Sequence, residues 1–161
     1  FNQASLAKYL VIAAKEDNTE ININDISDFF RHVLERIDWK RDLHFQTRTT
    51  IDTLDYSGTG FNEGSKVVMA AAGEPIRELR AEIPENLRLP DGYKNPRIVQ
   101  PGIMAVEGPE FTRQETATEE LARLTSLLGD QGFPDSLPLV LLVDDADFTA
   151  AKLNNWLMLN V

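Results

Sequence analysis

The chain has 161 residues, 42% of them apolar, which suits one ordinary domain with a real core and is too apolar for a disordered segment. A formal net charge of −10, with basic residues scattered along the chain, argues against nucleic acid or an anionic membrane as partner, since both demand clustered cations. The absence of cysteine removes disulfides, thiolate metal sites and a Cys nucleophile together, and fits a cytoplasmic setting. No apolar run approaches the roughly 18 residues of a membrane span.

In chain order, Lys8 to Ala14 is a short apolar run, the mark of a strand buried on both faces. Asn24 is placed to cap a helix over residues 25–37. There Ile26, Phe29, Phe30, Val33, Leu34 and Ile37 recur at spacings of three and four. Leu43 to Arg48 alternates and predicts a second strand. Strand, helix and strand within about 40 residues predict a βαβ crossover and a parallel sheet.

Residues 57–64 are turn-rich, and Lys66 to Ala71 predicts a third strand. Prolines at 75, 84, 90, 96 and 101 break up the next stretch, which is read as a connecting arm. Ile103 to Val106 predicts another strand. Thr112 or Thr116 would cap a helix running to Leu128, with Gly129 as its stop. Leu137 to Val143 then repeats the opening pattern: Ser5 to Asp17 and Ser136 to Asp147 each give a small polar start, a buried strand and an acidic strand end, with a helix to follow. That likeness is either a weak internal duplication or two units obeying the same βα physics.

The resulting expectation is one three-layer α/β/α domain with a mostly parallel sheet over 1–161. Its parts are a βαβ unit plus strand (1–73), a proline-rich arm (74–101) and a second βα unit (102–161), whose strand at 137–143 is expected to join the sheet of the first. The start at Phe1 and the helical spacing up to Val161 suggest a piece cut from a longer protein.

Few residues invite chemistry. Asp144, Asp145 and Asp147 follow a buried strand, where carboxylates can hold a cation or line a crevice; capping the next helix is the commoner role. The run from Gly58 through Gly60 and Gly64 to Lys66 lacks the spacing of a phosphate loop, and the residues after it read as strand. His32 and His44 have no carboxylate at ligand spacing, and no serine sits in a nucleophile elbow. Trp39 and Trp156 read as core or interface anchors. Lys8, at the head of a buried strand, either snorkels or meets a phosphate.

Ala7-Lys8-Tyr-Leu-Val-Ile with its acidic turn, then the βαβ pattern, Thr50 to Tyr56, and Gly60-x-x-x-Gly64-Ser65-Lys66 together resemble the C-terminal part of UbiD-type decarboxylases. This is the 3-octaprenyl-4-hydroxybenzoate carboxy-lyase family, and the resemblance covers about the first 75 residues. Where the family shows a run of aspartates after its first strand, this chain has Ala14-Lys15-Glu16-Asp17. The resemblance implies non-oxidative decarboxylation of an aromatic or α,β-unsaturated acid, using prenylated flavin mononucleotide and a divalent metal ion (Mn or Mg). It assigns no catalytic residue and no metal ligand to this chain, because the family's acid/base set, flavin cage and ligands lie upstream. Lys8 matches the family's strand-head lysine and is expected to reach the flavin phosphate, and Ser65 and Lys66 match a motif of unassigned role. The implied role is a closing and assembly domain, inactive alone, packed on an upstream flavin-binding domain of the same chain and within a homo-oligomer. Two rivals stand beside it: a non-catalytic oligomerisation module, and a small-molecule-binding α/β domain with a crevice near Asp17, residues 57–64 and Asp144.

Overall fold

The computed structural model describes residues 7–52, 58, 60 and 63–157. Its strands are β1 (Tyr9–Ala13), β2 (Leu43–Thr49), β3 (Gly64–Ala71), β4 (Lys94–Gln100), β5 (Ile103–Glu107) and β6 (Leu139–Val143). Its helices are α1 (Ile26–Arg36), α2 (Gln114–Asp130), α3 (Ala146–Ala151) and α4 (Leu153–Leu157). The contacts divide the chain into two compact units, Phe1–Ile76 and Arg77–Val161.

In the first unit, Asp25 rather than Asn24 caps α1: its carboxylate accepts the Asp28 N–H at 3.0 Å, satisfying a donor that the first helical turn leaves free. The helix buries His32, Val33 and Leu34, ends where Ile37 turns extended, and packs on β1 and β3. The strand order is β1-β3-β2, with β1 parallel and β2 antiparallel to β3. The predicted βαβ crossover between β1 and β2 is therefore corrected. β3 lies between them, antiparallel to β2. β1 becomes an edge strand with Tyr9 and Ile12 partly exposed, rather than a strand covered on both faces.

The second unit has the order β4-β5-β6, with β4 antiparallel and β6 parallel to β5. The β4–β5 hairpin turns on Pro101-Gly102. Gly102 has φ +83, which matches the proline-then-glycine order of a type II turn. Met104 and Val106 on one face of β5 pack in a core with Leu124 and Leu128 of α2, while α3 lies along β4 and β5. Four consecutive residues of β5, Ile103 to Val106, have no exposed surface, so this central strand is covered on both faces.

The α/β class thus holds, but each sheet is mixed, in place of one mostly parallel sheet. The strand at Leu139–Val143 pairs with β5, not with the first sheet; as an edge strand it needs less cover than its composition suggested. Part of the predicted arm is β4, in which Pro96 is tolerated because an edge strand has one side without ladder bonds. α2 is capped by neither threonine. Arg113 stands at its N-cap without a side-chain capping bond to the backbone, its Nε donating instead to Thr116 Oγ1 at 2.9 Å, and Gly129 lies inside the helix, which runs to Asp130. The units also differ in connectivity, since the central strand comes last in the first and second in the other. The likeness between Ser5–Asp17 and Ser136–Asp147 is accordingly local.

Candidate functional site

The two lysines that the sequence singles out meet at the start of the first sheet. The Lys8 carbonyl accepts the Val67 N–H at 3.0 Å, just ahead of the Tyr9↔Val67 register pair. This places Lys8 beside Lys66 at the amino ends of two parallel strands. Lys8 is half-buried, whereas Lys66, on the central strand, is 1% exposed, and Ser65 is exposed.

The glycine run before them is a packing device. A Cβ on Gly58 would lie 2.0 Å from the Glu63 carbonyl oxygen, and one on Gly64 would lie 2.7 Å from Ile51 Cδ1. Ile51 is 1% exposed, so the glycines let backbone close over it. Gly60 and Glu63 form an isolated antiparallel bridge, and Lys66 sits inside a strand rather than at the helix start where a phosphate loop puts its lysine. Ser57, Thr59, Phe61, Asn62 and the quoted Thr53 to Tyr56 lie outside the described residues.

Asp17 is committed to structure. Its carboxylate accepts the Gly73 N–H at 2.7 Å, and Arg36 Nε donates to the Gly73 carbonyl at 3.0 Å, tying the exit of β3 to the turn after β1 and to α1. His32 is 4% exposed, and its Nε2 has no hydrogen-bond partner. Burial, then Arg36, holds its pKa below the usual histidine value, against the opposing pull of Asp17, Glu35 and Asp28. The folded state therefore favours neutral imidazole. The stability this contributes is complete above about pH 6.5 and is lost as pH falls towards the folded value. Melting at pH 7.5 and at 5.5 should show the wild type losing more stability than His32→Phe; equal losses would remove His32 as the cause. His44 is exposed on β2.

In the second unit the acids after β6 separate. Asp145 caps α3, accepting the Phe148 N–H at 2.8 Å. Asp147 accepts from Arg97 Nε at 2.6 Å and from Asn95 Nδ2 at 2.9 Å. Glu107, at the end of β5, accepts from the same Asn95 amide at 2.7 Å and from the Ala146 N–H at 3.2 Å. The Asn95 hydrogen bonds are the first cause that draws both the Glu107 and Asp147 carboxyls below their ordinary pKa, followed by the Ala146 N–H for Glu107 and Arg97 for Asp147. Glu107, Asp145 and Asp147 each bring a carboxylate oxygen within 4.8 Å of the others, the one such group among the described residues. Its oxygens already serve a cap, an amide and a guanidinium, which is the chemistry of a strand end rather than of a metal centre. Reading the sequence missed Glu107, Asn95 and Arg97. Trp156 is 3% exposed, as a core anchor should be, and Trp39 is half-buried. No helix among the described residues is long and apolar enough to cross a membrane.

The family match falls within the first unit, whereas the relatives align across both. Residues 1–71 match the family described as 3-octaprenyl-4-hydroxybenzoate carboxy-lyase C-terminal domain. An uncharacterized protein of Chlamydia trachomatis is 35% identical over 147 residues, covering 89% of this chain and 22% of that protein. A Chlamydia pneumoniae protein, named as a subunit of 4-hydroxybenzoate decarboxylase, is 32% identical over 149 residues, again 89% of this chain and 22% of its own length. A further uncharacterized protein, from Chlamydia caviae, is 31% identical over 157 residues, with 96% and 24% covered. The chain therefore spans less than a quarter of the length of these relatives. Residues 1–71, in which Lys8 and Lys66 lie side by side at the head of the first sheet, belong to the UbiD-type carboxy-lyase family as its C-terminal domain.

Proposed function

We propose that this chain is the closing and assembly part of a prenylated-flavin-dependent decarboxylase acting on aromatic or α,β-unsaturated acids in the cytoplasm. The observation that carries the reading is the family match over 1–71, which ends where β3 ends. The adjacency of Lys8 and Lys66 supports it. Lys8, the less buried of the two, is assigned to the flavin phosphate. The metal ligands, the catalytic acid/base groups and the flavin cage are assigned, as the family resemblance implies, to the flavin-binding domain, so that this chain alone would be inactive. When bound, the cofactor supplies the electron sink; the part assigned here is to seat against that domain and exclude water.

The Chlamydia pneumoniae relative is named as a subunit, which supports an assembly of several chains and is in keeping with a homo-oligomer. The rival oligomerisation module shares that support but predicts no flavin. Absorbance spectra separate them. A polypeptide of the relatives' length, co-expressed with the enzyme that makes the prenylated cofactor, should carry a flavin band, the 161-residue chain none, and Lys8→Ala in the long form should lower the flavin-to-protein ratio. A long form without flavin would favour the module.

A further inference from the structure

The second unit has a feature that neither the family match nor the decarboxylase reading uses. β5 and β6 are parallel neighbours, and beyond their carboxyl ends lies a crevice of ≈ 290 Å³. In open α/β sheets the carboxyl ends of parallel strands are where ligands bind, and this volume is close to the lower end of small-molecule pockets. Phe111, Leu121 and Leu142 line it and are 68%, 45% and 42% exposed, a concentration of large apolar side chains at one mouth. Tyr93, nearly buried in the core of this unit, lines it from the inner side.

The polar groups settle the sign of the ligand. Glu120 of α2 and Asp144 after β6 line the crevice, and no lysine or arginine does. Neither carboxylate has a hydrogen-bond or ion-pair partner among the described residues, unlike Glu107, Asp145 and Asp147 a few residues away. Glu120 is close enough to the Tyr93 hydroxyl to help burial raise its pKa. Two unneutralised carboxylates over an apolar floor disfavour carboxylic acids and phosphates and favour a cation. The geometry points to a binding site for a small organic ammonium ion with an aromatic or alkyl body. The body would pack on Phe111, Leu121 and Leu142, and the ammonium group would be in reach of Glu120 and Asp144. Such a site is separate from any pocket for the acid substrate of a decarboxylase, because an anion is what it rejects.

The test uses the ¹⁵N-labelled 161-residue chain, titrated at constant ionic strength with 2-phenylethylammonium and, separately, with its anionic counterpart 3-phenylpropionate. The expected result is saturable movement of the Gly108, Leu121, Val143 and Asp144 amides by the amine, with the acid at least about tenfold weaker. Glu120→Gln and Asp144→Asn should each weaken amine binding about threefold to fivefold, as for partly exposed charge pairs. Both replace one surface carboxylate with its amide, so the fold is kept. Acid binding as strong as the amine, or no movement of these amides up to an amine concentration on the order of 10 mM, would overturn the proposal. So would movement of the same amides with protein concentration alone, since a second copy would then be the occupant.

Discussion

Replacing Gly58 with alanine should destabilise the first unit by about 3 kcal/mol, at the upper end of the effects of overpacking. The reason is what the new methyl would meet. Its position is 2.0 Å from the Glu63 carbonyl oxygen, 3.0 Å from the Glu63 carbonyl carbon and 2.8 Å from Ile51 Cδ1. A side-chain tip can rotate away, but a backbone carbonyl moves only with its strand, and Gly64, the next residue, begins β3. Gly60→Ala is the control. Its methyl would meet nothing closer than Glu63 Oε2 at 3.5 Å, an ordinary contact, so its effect should stay within about 0.5 kcal/mol. Urea unfolding of the two variants beside wild type decides the matter. Equal midpoints would mean that the loop shifts freely, and that its glycines are not there to bring backbone over Ile51.

Met104→Ala should cost the second unit about 3 kcal/mol, within the range for truncating a fully buried methionine. Met104 has no exposed surface, sits on the central strand and packs with Val106, Leu124, Leu128 and Leu137. The cavity cannot close easily because the strand is paired on both sides. Leu142→Ala, on the edge strand and 42% exposed, removes a side chain of similar size and should cost under about 1 kcal/mol. If the two variants unfold at the same urea concentration, the core does not lie where the burial places it.

The elements were legible because their signals are local. α1 declared itself by six apolar residues at helical spacing, and β2, β3 and β5 by short apolar or alternating runs. Pairing was not legible, because parallel and antiparallel neighbours draw on the same strand composition. β3's insertion between β1 and β2 depends on a loop whose length leaves either direction open. Counting prolines hid β4, since Pro96 on an edge strand costs no ladder bond, and with β4 went Asn95 and Arg97, the two partners of Asp147. Glu107 had a readable signal. It ends a strand as Val143 does, and the register sets the two level, so the acid after one parallel strand was a reason to look at the end of its neighbour. The family resemblance singled out Lys8 and Ser65-Lys66, but that Lys8 and Lys66 are neighbours follows only from the β1–β3 ladder.

The two sheets treat their outer edges unequally, which bears on behaviour at high concentration. On β2 the ladder shifts register around Arg48, with φ 55, and on β4 around Asn95, with φ 50 and Pro96 next to it. Such irregularities keep another chain from adding a strand. β1 and β6 carry no such guard. Tyr9–Ala13 and Leu139–Val143 contain no charge, glycine or proline, and each pairs with its sheet on one side only. Any strand addition between molecules, and aggregation resulting from it, is therefore expected at these two five-residue segments. One lysine at an exposed position of each, Ile12 in the first and Leu142 in the second, is the change that would keep concentrated solutions clear.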